Sequence, residues 1–129
     1  VLRIKLRRLD AWNRARQHLA QRYEEGLKCT TYLLPTAEQD ADHVWHLYVI
    51  RTSAQARLAD WLAKQGIQVQ IHYPTPPHLQ AAYADLGFQR GDFPLTEVIS
   101  DEILSLPLWP QLRTDIQDKV IAAIRAFKP

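Results

Sequence analysis

The chain has 129 residues, 47% of them hydrophobic and 23% charged, which is enough to close one core and too little for two full domains. Its 16 basic and 14 acidic side chains leave a formal charge of +2, which excludes a strongly polycationic nucleic-acid binder as the default. The single cysteine, Cys29, cannot close an intramolecular disulfide, so neither a stapled secreted scaffold nor a zinc finger is supported, and a reducing compartment is expected.

No apolar run approaches the roughly 18 residues of a membrane span. Val1 to Asp10 interleaves Arg and Lys with Leu and Ile instead of building a signal-peptide core. A soluble, cytoplasmic protein without a membrane partner is expected. Helix periodicity begins almost at Val1 with no capping residue ahead of it, the pattern of a piece cut from a longer polypeptide. Leu9, Trp12, Ala15, Leu19, Tyr23 and Leu27 then recur every three or four residues and predict an amphipathic helix, with Gly26 as its stop. Arg3, Lys5, Arg7, Arg8, Arg14, Arg16 and Arg22 gather positive charge here. The bland reading is a solvated face or a contact with absent acidic polypeptide; the rival is a nucleic-acid footprint whose binding would weaken steeply with salt.

Residues 36–42 read as a polar loop. Val44 to Ile50, dense in β-branched and aromatic residues, predicts a strand covered on both faces. Ser53 is the expected cap of a helix that buries Ala54, Leu58, Trp61 and Leu62 and stops at Gly66. Ile67 to Ile71 alternates strictly and predicts a second strand, with Gln68 and Gln70 on its wet face. His72 to Pro77 is too rich in proline for regular structure and reads as a stiff loop at a strand end. A short helix from His78 to Leu86 follows, stopped by Gly87, then a turn over Gln89 to Asp92. A helix opens at Pro94 and runs toward Leu104, a short edge strand spans Leu106 to Leu108, and a last helix covers Thr114 to Phe127, burying Ile116, Val120, Ala123, Ile124 and Phe127. The expected fold is α+β, with helices packed on a sheet of about three strands.

For chemistry, the run from Ile71 to Gln80 stands out. It presents His72, Tyr73 and His78 on a loop whose prolines reduce the entropy lost on binding, and imidazole and phenol both donate to phosphate or sugar oxygens. The alternative is that Tyr73 and the prolines only pack a turn while His78 caps or flanks a helix. His43 and His46 lie three apart across loop and strand and point to opposite faces, so they read as structural, and no metal site is expected. Cys29 has no activating neighbour and reads as a small buried side chain. Walker, dinucleotide and nucleophile-elbow motifs are missing from the sequence, and no lysine has the setting of a Schiff-base amine, so no catalytic residue is assigned.

The order of these runs resembles the C-terminal small domain of the DegT/DnrJ/StrS family of pyridoxal-phosphate-dependent sugar aminotransferases, of fold type I. The matching pieces are Val1 to Leu6 with Leu9 to Asn13, Val44 to Arg51, Gly66-Ile67, Ile71-His72-Tyr73-Pro74 with Pro76 and His78-Leu79-Gln80, Ala82-Tyr83 and Leu86-Gly87, Phe93-Pro94, and Leu104 to Pro110. Pro77 stands where the family pattern favours an aliphatic residue. The resemblance implies one domain over residues 1–129, with the helix of residues 1–27 continuing from a missing N-terminal large domain. The whole enzyme would be a homodimer that moves an amino group, commonly from glutamate, onto a nucleotide-linked keto-sugar. A large-domain lysine would hold the cofactor, so the isolated chain is expected to bind none and to be inactive. By resemblance His72, Tyr73, Pro74 and His78 are substrate-binding residues. The rival hypothesis is a free-standing binding or interaction module that keeps the loop for a nucleotide-sugar or a protein partner.

Overall fold

In the computed structural model, which describes residues 2–128, the N-terminal helix comes in two segments, α1 (Leu2–Leu6) and α2 (Leu9–Leu27). Val1, the first residue of the family-like opening run, lies outside the described residues. The chain turns at Arg7-Arg8, where the Arg8 amide bonds back to the Lys5 carbonyl. From there α3 (Gln55–Lys64), α4 (Pro94–Glu102) and α5 (Thr114–Ala126) pack with an antiparallel pair, β1 (Tyr48–Arg51) and β2 (Ile103–Leu106). The α+β expectation holds, with two strands in place of about three.

The core lies between the helices and this pair. Tyr23 and Leu27 of α2, Leu58 and Leu62 of α3, Ile124 of α5, and Tyr48, Ile50 and Leu104 of the strands are nearly or fully buried. Each contributes roughly 1.5–3 kcal/mol of transfer free energy. Register places Tyr48 opposite Leu106 and Ile50 opposite Leu104, so the strands' apolar residues share one face.

Each edge of the pair gains one further bridge, Leu33 beside Arg51 and Gln70 beside Ser105. The predicted strand over residues 67–71 is therefore reduced to a single paired residue. Its alternation survives, with Ile67, Val69 and Ile71 half-buried and both glutamines exposed. In an antiparallel ladder the next bonded partner after Ser105 would be Pro107, which has no N–H to give, so pairing toward Gln68 stops.

Other expectations shift for local reasons. The strand predicted from Val44 begins at Tyr48, because Trp45 takes a left-handed φ of 50° and its amide donates to His43 Nδ1 at 2.9 Å, which turns the chain. The edge strand predicted over 106–108 lies at Ile103–Leu106, since α4 ends at Glu102 and Ile103 is already extended. Ser53 is not the cap; the Thr52 hydroxyl takes the Ala54 amide instead. Gly66 does stop α3, at a φ of 73°, with its own amide on the Ala63 carbonyl and that of Ile67 on the Leu62 carbonyl. His78 to Leu86 forms two 3-10 turns, Pro77–Leu79 and Ala81–Leu86, in place of one helix. In α5 the buried stripe uses Gln117 where Ile116 was expected: Gln117 Nε2 donates to the Leu19 carbonyl at 2.7 Å and its Oε1 accepts from Arg22, while Ile116 is exposed. Cys29 is exposed, in the polar turn after α2, and not buried.

Gly26 also acts differently from its predicted role. It lies inside α2 with no positive φ, and a β-carbon there would stand 2.8 Å from Ile121 Cγ2 of α5. Close approach of two helices, not helix termination, requires the glycine. Gly26→Ala should lower stability by about 1 kcal/mol, because overpacking of roughly 1–3 kcal/mol outweighs the helix-propensity gain of about 1 kcal/mol. In an Ile121→Ala background the same change should turn neutral or stabilising; urea unfolding measures both. A second test concerns the Tyr48 hydroxyl, which is buried with no partner among the described residues, its pKa pushed up to about 12 by burial and then by Glu24. Tyr48→Phe removes an unsatisfied polar group and should raise the unfolding free energy by about 1 kcal/mol.

Candidate functional site

Two residues beyond the Gln70–Ser105 bridge, His72 leaves the sheet edge half-buried, with Nδ1 2.9 Å from Ser105 Oγ. Ser105 is itself buried. The contact has two forms: the hydroxyl accepts from Nδ1–H in one ring tautomer and donates to Nδ1 in the other, and only the second, with the ring proton on Nε2, leaves the hydroxyl hydrogen paired among the described residues. His72 then offers a donor at the wall of a groove of about 450 Å³ lined also by Ile67, Gln70, Pro107, Trp109 and Ile116. Apolar walls with a few polar groups are the usual make-up of a small-molecule site.

Tyr73 points elsewhere. The His72–Tyr73 peptide is cis, the two rings meet edge-on at 5.8 Å, and Tyr73 is 71% exposed. With Pro74, Thr75, Leu79 and Gln80 it rims a second, shallower depression. Pro76 is buried and anchors the loop, and Gln80 Nε2 donates to the Thr75 carbonyl at 3.1 Å, so Gln80 braces the turn. Of the four residues expected to bind substrate, His72, Tyr73 and Pro74 lie on these two concave surfaces.

His78 joins neither. Its side chain is only 7% exposed, its Nε2 lies 3.1 Å from Glu97 Oε1, and its ring packs on Phe93 at 4.8 Å. The same Glu97 oxygen accepts the Gly91 amide at 2.7 Å. That amide above all, opposed by burial and helped by His78 and Arg90, holds the Glu97 carboxyl below its usual pKa. Sequence reasoning missed Glu97. The available signal was an acidic residue in the first turn of the helix opened by Pro94, where the dipole favours negative charge.

The remaining candidates do not converge on a reactive centre. His43 stacks on Trp45 at 4.2 Å and accepts its amide. Arg22 is engaged by Gln117 and by Asp118 at 2.6 Å. All five lysines, Lys5, Lys28, Lys64, Lys119 and Lys128, are exposed. Among the described residues no three His, Cys, Asp or Glu side chains come together as metal ligands, and no helix is long and apolar enough to cross a membrane.

The match of this chain to known proteins extends over nearly its whole length, well past the sheet-edge imidazole, the exposed phenol on its proline-braced turn and the proline-opened helix. The chain belongs to the DegT/DnrJ/EryC1/StrS aminotransferase family, whose profile matches residues 1–125. It is similar to the erythromycin biosynthesis sensory transduction protein EryC1 of Saccharopolyspora erythraea, 47% identical over 127 residues that cover 98% of this chain and 35% of that protein. It is 39% identical to the dTDP-3-amino-3,6-dideoxy-alpha-D-galactopyranose transaminase of Aneurinibacillus thermoaerophilus, covering 98% of this chain and 34% of that one. Among solved structures, DesV of S. venezuelae in complex with a ketimine intermediate matches with a TM-score of 0.93 at 40% identity, over 97% of this chain and 34% of its own. The chain thus spans about a third of the length of the relatives it matches.

The hydroxyl's role at His72 can be read directly. Nitrogen chemical shifts should place the proton of the neutral His72 ring on Nε2, and Ser105→Ala should leave a mixture of tautomers. The same Nε2-protonated population in both proteins would remove Ser105 from that role.

Proposed function

We propose that these residues form the C-terminal small domain of a pyridoxal-phosphate-dependent aminotransferase acting on nucleotide-linked keto-sugars, continuous with a large domain that holds the cofactor. The whole protein is read as a cytoplasmic homodimer with glutamate as amino donor. The observation that carries this reading is the pairing, in a chain of this family, of a sheet-anchored imidazole with an exposed phenol on the adjoining turn. Exposure of Leu2, Ile4 and Leu6 along α1, which buries nothing, supports a further body of polypeptide against that helix.

This chain's residues do not fit the cofactor itself. A Schiff-base lysine has to be withdrawn from water, whereas all five lysines here stand on the exposed surface. Pyridoxal phosphate, bound outside these residues, would supply the amino-transfer chemistry. Their own work is binding. His72 Nε2–H and the Tyr73 hydroxyl donate to sugar or diphosphate oxygens, and Pro74 with buried Pro76 fixes the turn so that little entropy is lost on binding. His78 contributes by holding that turn in place.

In the whole protein, Tyr73→Phe and His72→Ala should each raise KM for the sugar nucleotide about tenfold, the loss of one hydrogen bond to a charged group. The KM for glutamate should stay unchanged and kcat should fall by less than about threefold. Steady-state kinetics decide the matter: unchanged sugar KM in both variants, or no amino transfer by the wild type, would remove the reading.

A further inference from the structure

We infer that Glu97 is the positioning residue of the substrate-side loop: its carboxylate ties residues 77–93 to the root of α4 and thereby sets where Tyr73 stands. The inference rests on the reading of Tyr73 as a substrate contact. Every residue from Ala81 to Thr96 is exposed, and in the two 3-10 turns the well-covered side chain is that of His78. No apolar core holds this excursion, so its position depends on the bonds at its ends.

One atom makes the two principal ties. Glu97 Oε1 accepts the Gly91 amide at 2.7 Å near the end of the excursion and meets His78 Nε2 at 3.1 Å near its start. Gly91 turns at a φ of 102°, a left-handed backbone that glycine adopts freely and that delivers its N–H to the carboxylate. The aromatic stack of His78 on Phe93 and Phe93 on Phe88 closes over the same point. From His78 the connection to the site is short: Pro77 and buried Pro76 stiffen the backbone, and Gln80 bonds the Thr75 carbonyl across the turn that carries Tyr73. A shift of His78 therefore moves the phenol.

The charged groups around Glu97 favour its ionised form. His78 faces it from the first 3-10 turn, and the Arg90 guanidinium stands 3.9 Å from Oε2, at the same distance from Asp101 of α4. Asp92 is occupied by the Gln89 amide at 2.8 Å. Because the Glu97 pKa is lowered in the folded protein, the clamp's contribution is fully present above the ordinary carboxylate value and is lost as pH falls through the lower, folded one.

The test uses the whole enzyme run in reverse, passing the amino group of a dTDP-linked amino sugar to 2-oxoglutarate, with hydrogen exchange of the peptide 77–93 measured alongside. Glu97→Ala should raise the amino-sugar KM about tenfold, leave the 2-oxoglutarate KM and kcat within threefold, and speed exchange across 77–93 at least tenfold. Glu97→Gln keeps an oxygen for the Gly91 amide and should recover most of the KM while removing the acid-side rise in exchange that the clamp predicts for the wild type. Should Glu97→Ala fail to fold, His78→Ala severs one tie and should give a KM increase of about threefold. Unchanged KM and exchange in the alanine variants would overturn the clamp, and faster exchange with unchanged KM would overturn its positioning role. If Tyr73→Phe leaves KM unaltered while exchange still responds to Glu97, it is the substrate reading that fails and not the clamp.

Discussion

Ser105 spends every polar group it has on one short stretch of chain. Its amide donates to the Gln70 carbonyl at 2.8 Å, its carbonyl accepts the Gln70 amide at 3.3 Å, and its hydroxyl meets His72 Nδ1. Leu104 and Leu106 on either side point into the core. The residue thus couples the best-packed part of the molecule to the imidazole at its edge. Two residues on, Pro107 ends the ladder but keeps an acceptor, which the Tyr23 hydroxyl uses at 2.8 Å. The same proline that stops the pairing therefore ties β2 to α2, and the sheet edge it leaves unpaired becomes the wall of the groove beside His72.

Apart from the unpartnered Tyr48 hydroxyl, the polar side chains around α5 follow one rule. Gln117, fully buried, reaches across to the Leu19 carbonyl, Tyr32 reaches the Ile124 carbonyl and Trp61 the Ala123 carbonyl. Each link joins α5 to another part of the chain through a main-chain oxygen, so α5 is fixed in rotation as well as in position. Gly26 brings α2 close enough for the Gln117 link to form across that interface.

Elements set by local chemistry were legible in the sequence. Gly66 could only be a stop, Pro94 only a first turn, and the spacing of Val120, Ala123 and Ile124 only a helix face. Elements set by partners were not. Val44 to Ile50 has strand composition throughout, but a strand exists only where a neighbour bonds it, and Trp45 turns away before β2 is reached. Likewise Gln70 alternates like a strand residue and is paired, while Gln68 alternates equally well and is not, because of a proline nearly forty positions away. Gln117 displaces Ile116 from the core for a similar reason: its polarity is matched by Arg22 and Leu19, residues that spacing along α5 cannot see. At the site, the loop of His72 to Pro76 was visible as composition, whereas Glu97, which meets His78 from 19 positions downstream, was not.

The site consequently has two halves of different stiffness. His72 is held by the sheet through Ser105, beneath which lies the main core, so its displacement would cost packing as well as hydrogen bonds. Tyr73 stands on a turn backed by an excursion with no core, held by hydrogen bonds, one carboxylate and a short aromatic stack. On the proposed reading, a ligand held by both would meet one donor whose place is fixed and another that can adapt. Apart from Gly87 and Gly91, whose positive φ resists a side chain, replacement among the exposed residues 81–96 is therefore cheap for the fold, whereas replacement at Ser105 is felt by the core and the imidazole together. If both donors bind as proposed, the fixed imidazole suits a group that ligands share and the adaptable phenol suits a part that varies.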